Sequence, residues 1–134
     1  MAISPTPQQR ENVRKWVEAL RSGDYLQTTG ILKRFEGASR TTCGYCCLGV
    51  LCDILEPDGW RGGDMFDHVL AASGGTMLIS QDFIRVTGLH PDIQESLITM
   101  NDGDMDHPEY GDDFDTIADE IEAMMENPDC WVTQ

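Results

Sequence analysis

The segment GYCCLGVLCDIL constrains this chain more than any other feature. From Tyr45 to Leu55 it is apolar almost without a break, apart from Gly49 and Asp53. A run of that length, rich in Leu, Cys and small residues, favours a buried helix over a strand. Pro57, Asp58 and Gly59 then end it. A helix that is apolar all round must be enclosed, so it is expected at the centre of the core, with other elements turning apolar faces towards it.

Several segments can supply those faces. Residues 6–22 read as an amphipathic helix, with Val13, Trp16, Val17 and Leu20 at i, i+3, i+4 and i+7. Ser4 or Thr6 is its expected cap, with Pro5 or Pro7 in the first turn and Gly23 as the stop. Glu11 with Lys15, and Arg14 with Glu18, form i,i+4 pairs on the wet side. Near the other end, Asp112 or Asp113 caps a helix whose apolar face is Phe114, Ile117, Ala118, Ile121, Met124 and Met125, closed by Pro128. The stretch SQDFIRVTG reads as a short helix stopped by Gly88, and Ile93, Leu97, Ile98 and Met100 suit a helix over 92–100. Apolar and β-forming residues around the turn signal Glu36-Gly37-Ala38-Ser39 predict a hairpin over about 30–35 and 40–45. The middle, 57–79, is loop-rich. Within it Met65, Phe66, Val69 and Leu70 suggest one or two helical turns, and 76–79 a short strand. The expected class is α+β: three or four helices around one core with a small antiparallel β-hairpin, forming a single domain over 1–134 with an acidic loop at 101–113.

Charge excludes more than it assigns. The 134 residues carry a formal net charge of −15. Residues 1–40 hold seven Lys/Arg against four Asp/Glu, and the remainder holds two against twenty. No Lys or Arg follows Arg85. Such a field repels phosphate backbones, so direct nucleic-acid binding is not expected and basic proteins are the natural partners. The ordinary alternative is that acidity serves solubility. No run approaches the ~20 apolar residues of a membrane span. The N-terminal segment lacks the apolar stretch of a secretory signal, so a cytoplasmic location is expected. The five cysteines are odd in number, and four crowd into ten residues, which favours reduced thiols over a disulfide framework.

Four blocks in order, WVEALRSGDYLQTTGIL, GYCCLGVLCDIL, LITMND and FDTIADEIE, carry a resemblance to a widespread group of small accessory proteins of tailed bacteriophages. Members typically show W-x-x-A-L-R-S-G-x-Y-x-Q, then C-C-L-G-V-L-C-D, then L-N-D before F-x-x-I-A-D-x-I-E. The match spans most of the chain, with 57–90 variable, and the CCLGVLCD string is its most specific part. The loop at 103–113 departs from the pattern in being longer and more acidic. The resemblance implies a phage or prophage origin and action in the host bacterial cytoplasm. It supplies no catalytic residues. Small non-essential phage proteins often act against host defences or host enzymes.

Four constellations invite chemistry. Cys43 and Cys46 have C-x-x-C spacing for zinc or redox work, but no second ligand pair stands nearby, and buried thiols are the ordinary reading of Cys46, Cys47 and Cys52. Asp102, Asp104 and Asp106 alternate like the start of a calcium loop, yet His107 and Asp113 occupy the positions that need Gly and Glu, leaving weak cation binding or a solvated loop. A Cys–His pair drawn from Cys43 or Cys130 with His68, His90 or His107 is not fixed by spacing. The basic N-terminal third, with Arg10, Arg14, Lys15, Arg21, Lys33, Arg34 and Arg40 near Gln27, suits a phosphate or small nucleotide; alternatively these cations pair with the acidic remainder, within the chain or across a homo-oligomer.

Together these readings lead to a non-enzymatic accessory protein, with no cofactor, that inhibits or sequesters a host component, an anti-phage defence factor in the first instance. In one version an acidic surface of Asp102, Asp104, Asp106, Glu109, Asp112, Asp113 and Asp115 mimics nucleic acid and occupies a basic host protein. In the other the chain is an oligomeric sponge for a small nucleotide signal, gripped by Arg10, Arg14, Lys33, Arg34, Arg40 and Gln27, with Trp16, Tyr25 or Trp60 stacking on the base. A minor virion structural component and a thiol- or metal-dependent enzyme are the alternatives from other classes.

Overall fold

The apolar run becomes helix α2, Cys47–Leu55, and its first six residues, Cys47 to Cys52, are all buried. The computed structural model describes residues 2–36, 42–62, 66–71, 76–103 and 111–132. Cys46 caps α2 in extended backbone, its Sγ accepting from the Gly49 N–H. Gly49 is where α2 meets the chain entering the hairpin. A Cβ there would fall 1.8 Å from the Leu32 carbonyl oxygen, so only glycine lets the two backbones approach this closely.

Helix α1, Pro7–Arg21, packs against α2, α3 and α5, with Val13, Trp16, Val17 and Leu20 all buried as the spacing predicts. Its start is a capping box. Thr6 Oγ1 accepts from the Gln9 N–H at 3.1 Å, and Gln9 Oε1 accepts from the Thr6 N–H at 2.8 Å. Trp16 is fully buried and donates Nε1–H to the Cys47 carbonyl at 2.8 Å, which gives the indole a polar partner inside the core. On the wet side Arg14 bonds both Glu11 and Glu18.

Three short strands follow one another around the start of α2: β1 Leu26–Gln27, β2 Lys33–Glu36 and β3 Thr42–Tyr45. β2 and β3 pair antiparallel, Lys33 across from Tyr45 and Glu36 across from Thr42. This is the predicted hairpin; its paired segments begin two or three residues later than expected, and residues 37–41, where the turn was placed, lie outside the described residues. β1 adds to β3 in parallel, making the order β1-β3-β2.

In the loop-rich middle the helical turn expected at 65–70 is replaced by extended chain; Met65 itself lies outside the described residues. β4, Trp60–Arg61, pairs antiparallel with β5, Asp67–His68, and Val69 and Leu70 form a turn. The cause is His68. Its ring is fully buried and bonded on both sides, Nε2 to the Glu56 carbonyl at 2.9 Å and Nδ1 accepting the Leu70 N–H at 3.1 Å. That inward imidazole sets the local period to two and overrides the i, i+3, i+4 pattern of Phe66, Val69 and Leu70. The strand expected at 76–79 is reduced to a single bridge between Leu78 and Ala71.

Helices α3 Ser80–Thr87, α4 Ile93–Asp102 and α5 Phe114–Met125 complete the architecture, so the described residues contain five α-helices and two small sheets in an α+β arrangement. Gly88 ends α3 in the left-handed region, φ 73°. Gln9 and Asn12 of α1 donate side-chain N–H groups to the last carbonyls of α3, Ile84 and Val86. Phe114, Ile117, Ala118, Ile121 and Met125 of α5 are buried against the core, and Asp113 caps it by accepting the Thr116 N–H. After a short 3-10 turn, Pro128–Cys130, the chain lies beside the segment that follows α3. His90 donates to the Cys130 carbonyl, Val132 to Gly88, and Ile3 to Val132, so both ends of the described chain are clasped together.

Candidate functional site

Asn101, near the end of α4, is 2% exposed and brings residues from three separate segments of the chain to one point. Its Oδ1 accepts from Gln27 Nε2 at 2.9 Å and from the Cys47 N–H at 3.2 Å. Its Nδ2 donates to the Thr28 carbonyl at 2.8 Å and to Asp102 Oδ1 at 2.9 Å. Gln27 also donates to the Asp112 carbonyl at 2.9 Å, and the Gly30 N–H donates to Asp102 Oδ1 at 3.1 Å. Every hydrogen-bonding capacity of the Asn101 carboxamide is used, which is what burial of such a group requires.

This hub carries the foot of the acidic loop. The Asp112 N–H donates to the Met100 carbonyl at 2.6 Å, and a Cβ at Gly111 would crowd the Asn101 carbonyl at 2.8 Å. Gln27, Thr29, Asn101, Gly111, Asp112 and Asp113 line an open hollow of about 300 Å³ there. The acids expected to form one surface therefore divide by role. Asp102 is half-buried and committed to Gly30 and Asn101. Asp113 is the α5 cap, and the Thr116 N–H it accepts holds its carboxyl below the usual range. Asp112 is half-buried, with its backbone tied to α4 and Gln27. Asp115 is exposed in the first turn of α5. Asp104, Asp106, Glu109 and His107 lie outside the described residues.

Helix α5 continues the negative surface, showing Asp115, Asp119, Glu120, Glu122 and Glu126 to solvent. Arg21 of α1 bonds Asp119 and Glu122, and Arg10 approaches Glu126 at 3.8 Å. Asp115 and Glu120 meet no cation among the described residues. Between α1 and α5 runs an open groove of about 400 Å³ whose floor is Val13, Val17 and Met125 and whose walls are these mixed charges.

The basic set is not assembled into one cradle. Arg10 and Arg14 sit on α1 with their own carboxylates, Arg34 bonds Glu36 at 3.1 Å, and Gln27 is consumed by the hub. Lys33 lies on β2 against aromatic rings, and Arg40 is outside the described residues. The stacking role considered for Trp16 is excluded by its complete burial. Tyr25 and Trp60 are half-buried and share Asp53, Tyr25 donating Oη–H to Oδ2 at 2.6 Å and Trp60 donating Nε1–H to Oδ1 at 3.0 Å.

The thiols are placed for packing. Burial pushes Cys46 up to about 11 and raises Cys47 and Cys52 as well, so none of the three offers a ready thiolate. Cys43 and Cys130 are half-buried. His68 is committed on both ring nitrogens, and His90 Nδ1 accepts the Asp92 N–H at 3.2 Å. No group of three His, Cys, Asp or Glu side chains that would hold a metal ion occurs among the described residues. No described helix is long and apolar enough to cross a membrane.

The polar hub, the Cys46 cap and Gly49 were missed from sequence, although the Gln27, Cys46-Cys47 and Asn101-Asp102 positions all fall inside the quoted blocks. No curated protein and no solved structure matches the chain. Residues 9–72, which include the α1 block and the whole CCLGVLCD string, are similar to the family described as Domain of unknown function (DUF8296).

Proposed function

We propose that this chain is a non-enzymatic accessory protein of phage origin that binds a basic host protein, a component of anti-phage defence, in the host cytoplasm. Its contact surface is the exposed side of α5 around Asp115 and Glu120, with the acidic segment leading into it. The observation that carries this reading is the unanswered charge there. Arg21 bonds Asp119 and Glu122 and Arg10 approaches Glu126, while Asp115 and Glu120 have no cation among the described residues. The preceding segment adds Asp104, Asp106 and Glu109 and contributes no Lys or Arg. Such a surface attracts a cationic partner and rejects anions. The nucleotide-sponge version has less support, because Arg10, Arg14 and Arg34 are engaged by the chain's own carboxylates and Trp16 is inaccessible.

The test uses two immobilised proteins in a bacterial host lysate: the wild type, and a variant carrying Asp104→Asn, Asp106→Asn, Asp115→Asn and Glu120→Gln. Asp102 and Asp113 are left in place because they hold the fold. The wild type should retain a basic protein that is released as salt rises from about 50 to about 500 mM, and the variant should not retain it. Retention of the same protein by the neutralised variant would remove the proposal.

A further inference from the structure

Lys33 opens β2, directly across the hairpin from Tyr45. Its Nζ lies 5.2 Å from the centroid of the Tyr45 ring, 5.0 Å from that of Trp60 and 4.6 Å from that of Phe66. The rings come from β3, β4 and the residue before β5, so the box exists only in the folded chain. Trp60 meets Tyr45 and Phe66 edge-on, at 6.1 Å and 65° and at 6.2 Å and 80°. The box is braced. Trp60 Nε1–H is anchored on Asp53, and the Phe66 N–H donates to the Lys33 carbonyl at 3.3 Å. All three rings are half-buried, so each keeps part of its surface open to solvent.

Lys33 is treated differently from the arginines. Each of the six described arginines has a carboxylate within 4 Å. Lys33 has none, nor does any described residue offer its Nζ a hydrogen-bond acceptor. Among the described residues, three ring faces are its partners. Ring quadrupoles attract positive charge but do not satisfy N–H donors. A primary ammonium in the box therefore depends on water for its N–H donors. A quaternary ammonium brings the same charge, methyl groups that pack on the rings, and no N–H left without a partner.

We propose that the Tyr45–Trp60–Phe66 box is a binding site for a quaternary ammonium group, closed in the free protein by Lys33. The side chain of Lys33 is an internal stand-in that shows which chemistry the box accepts, and its flexible four-carbon stem lets it leave towards solvent. Asp53, behind Trp60, adds negative potential, and the net charge of −15 raises the local concentration of cations. This site is separate from the acidic surface proposed above and stands whether or not that surface binds a partner.

The test is a titration of the full chain with tetramethylammonium chloride, followed on the Trp60 indole N–H resonance, with sodium chloride at the same ionic strength as control. The wild type should show a saturable shift. Lys33→Ala, with the plug removed, should bind about ten-fold more tightly, as for any site freed of an internal competitor. Lys33→Gln should behave the same way and covers the case in which the alanine variant folds poorly. Adding Tyr45→Ala to either should abolish the shift. Choline and a short peptide bearing trimethyllysine distinguish the sources: comparable affinity assigns a free small cation, and tighter peptide binding assigns a modified protein tail. A Trp60 resonance unmoved at about 20 mM in wild type and both Lys33 variants would overturn the proposal, as would a response matched by sodium chloride.

Discussion

The Asn101 carboxamide accepts the Cys47 N–H at 3.2 Å, joining the end of α4 to the start of the central helix α2 across 54 residues of sequence. The same side chain holds Gln27, Thr28 and Asp102. Asn101→Ala leaves the buried Cys47 N–H and Thr28 C=O without these partners, and each unsatisfied buried group costs about 1–3 kcal/mol. The expected loss is about 3 kcal/mol, read as a lower urea midpoint. Asn101→Asp replaces a donor with an acceptor facing the Thr28 carbonyl and should be at least as damaging at neutral pH. Retention of wild-type stability by both variants would show that the hub is not needed.

Gly49→Ala tests the contact between α2 and the hairpin entry. Helix propensity alone favours alanine by about 1 kcal/mol. The added Cβ would lie 1.8 Å from the Leu32 oxygen, so backbone must move. The clash should win, lowering stability by about 3 kcal/mol or preventing folding. A thermal melt at or above the wild-type temperature would show that the helix has room to shift.

Alkaline pH should destabilise the fold. Cys46 rises from 9.0 to about 11 on burial, with Cys47 and Cys52 raised in the same direction. Above about pH 9 the unfolded chain releases protons that the folded chain retains, so stability is full below the unfolded value and falls as pH climbs towards the folded one. Each such thiol contributes a slope of about 1.4 kcal/mol per pH unit in that window. Urea midpoints should therefore drop between about pH 9 and about pH 10, and Cys52→Ala should flatten the decline relative to the wild type.

The clasp of the termini predicts that Trp131 matters beyond its place near the chain end. Its Nε1–H donates to the Met125 carbonyl at 3.1 Å, its backbone bridges Leu89, and Arg10 lies over its ring at 5.9 Å. Trp131→Ala should cost about 2 kcal/mol, less than a fully buried indole because the ring is half-exposed. Hydrogen exchange should accelerate at His90 and Val132, whose N–H groups bond within the clasp.

Local pattern was enough to read α1 and α5. A cap residue, a 3.6-residue apolar repeat and a stop signal act within one or two turns, so Thr6 to Arg21 and Asp113 to Met125 carry their own instructions. The apolar run from Tyr45 likewise announced the central helix, since nothing else encloses so many adjacent apolar residues. Where partners lie far apart in the chain, pattern ran out. Phe66, Val69 and Leu70 have helical spacing, yet the carbonyl of Glu56 and the edge-on contact with Trp60 hold His68 inward and extend the chain. The cations of the N-terminal third looked free for a ligand, but Arg21 finds Asp119 and Glu122 about a hundred residues away. Hydrophobic periodicity and capping are short-range and therefore legible in sequence. Which donors, charges and rings meet across the core depends on the packing of distant segments, and the Asn101 hub and the box around Lys33 exist only once that packing is complete.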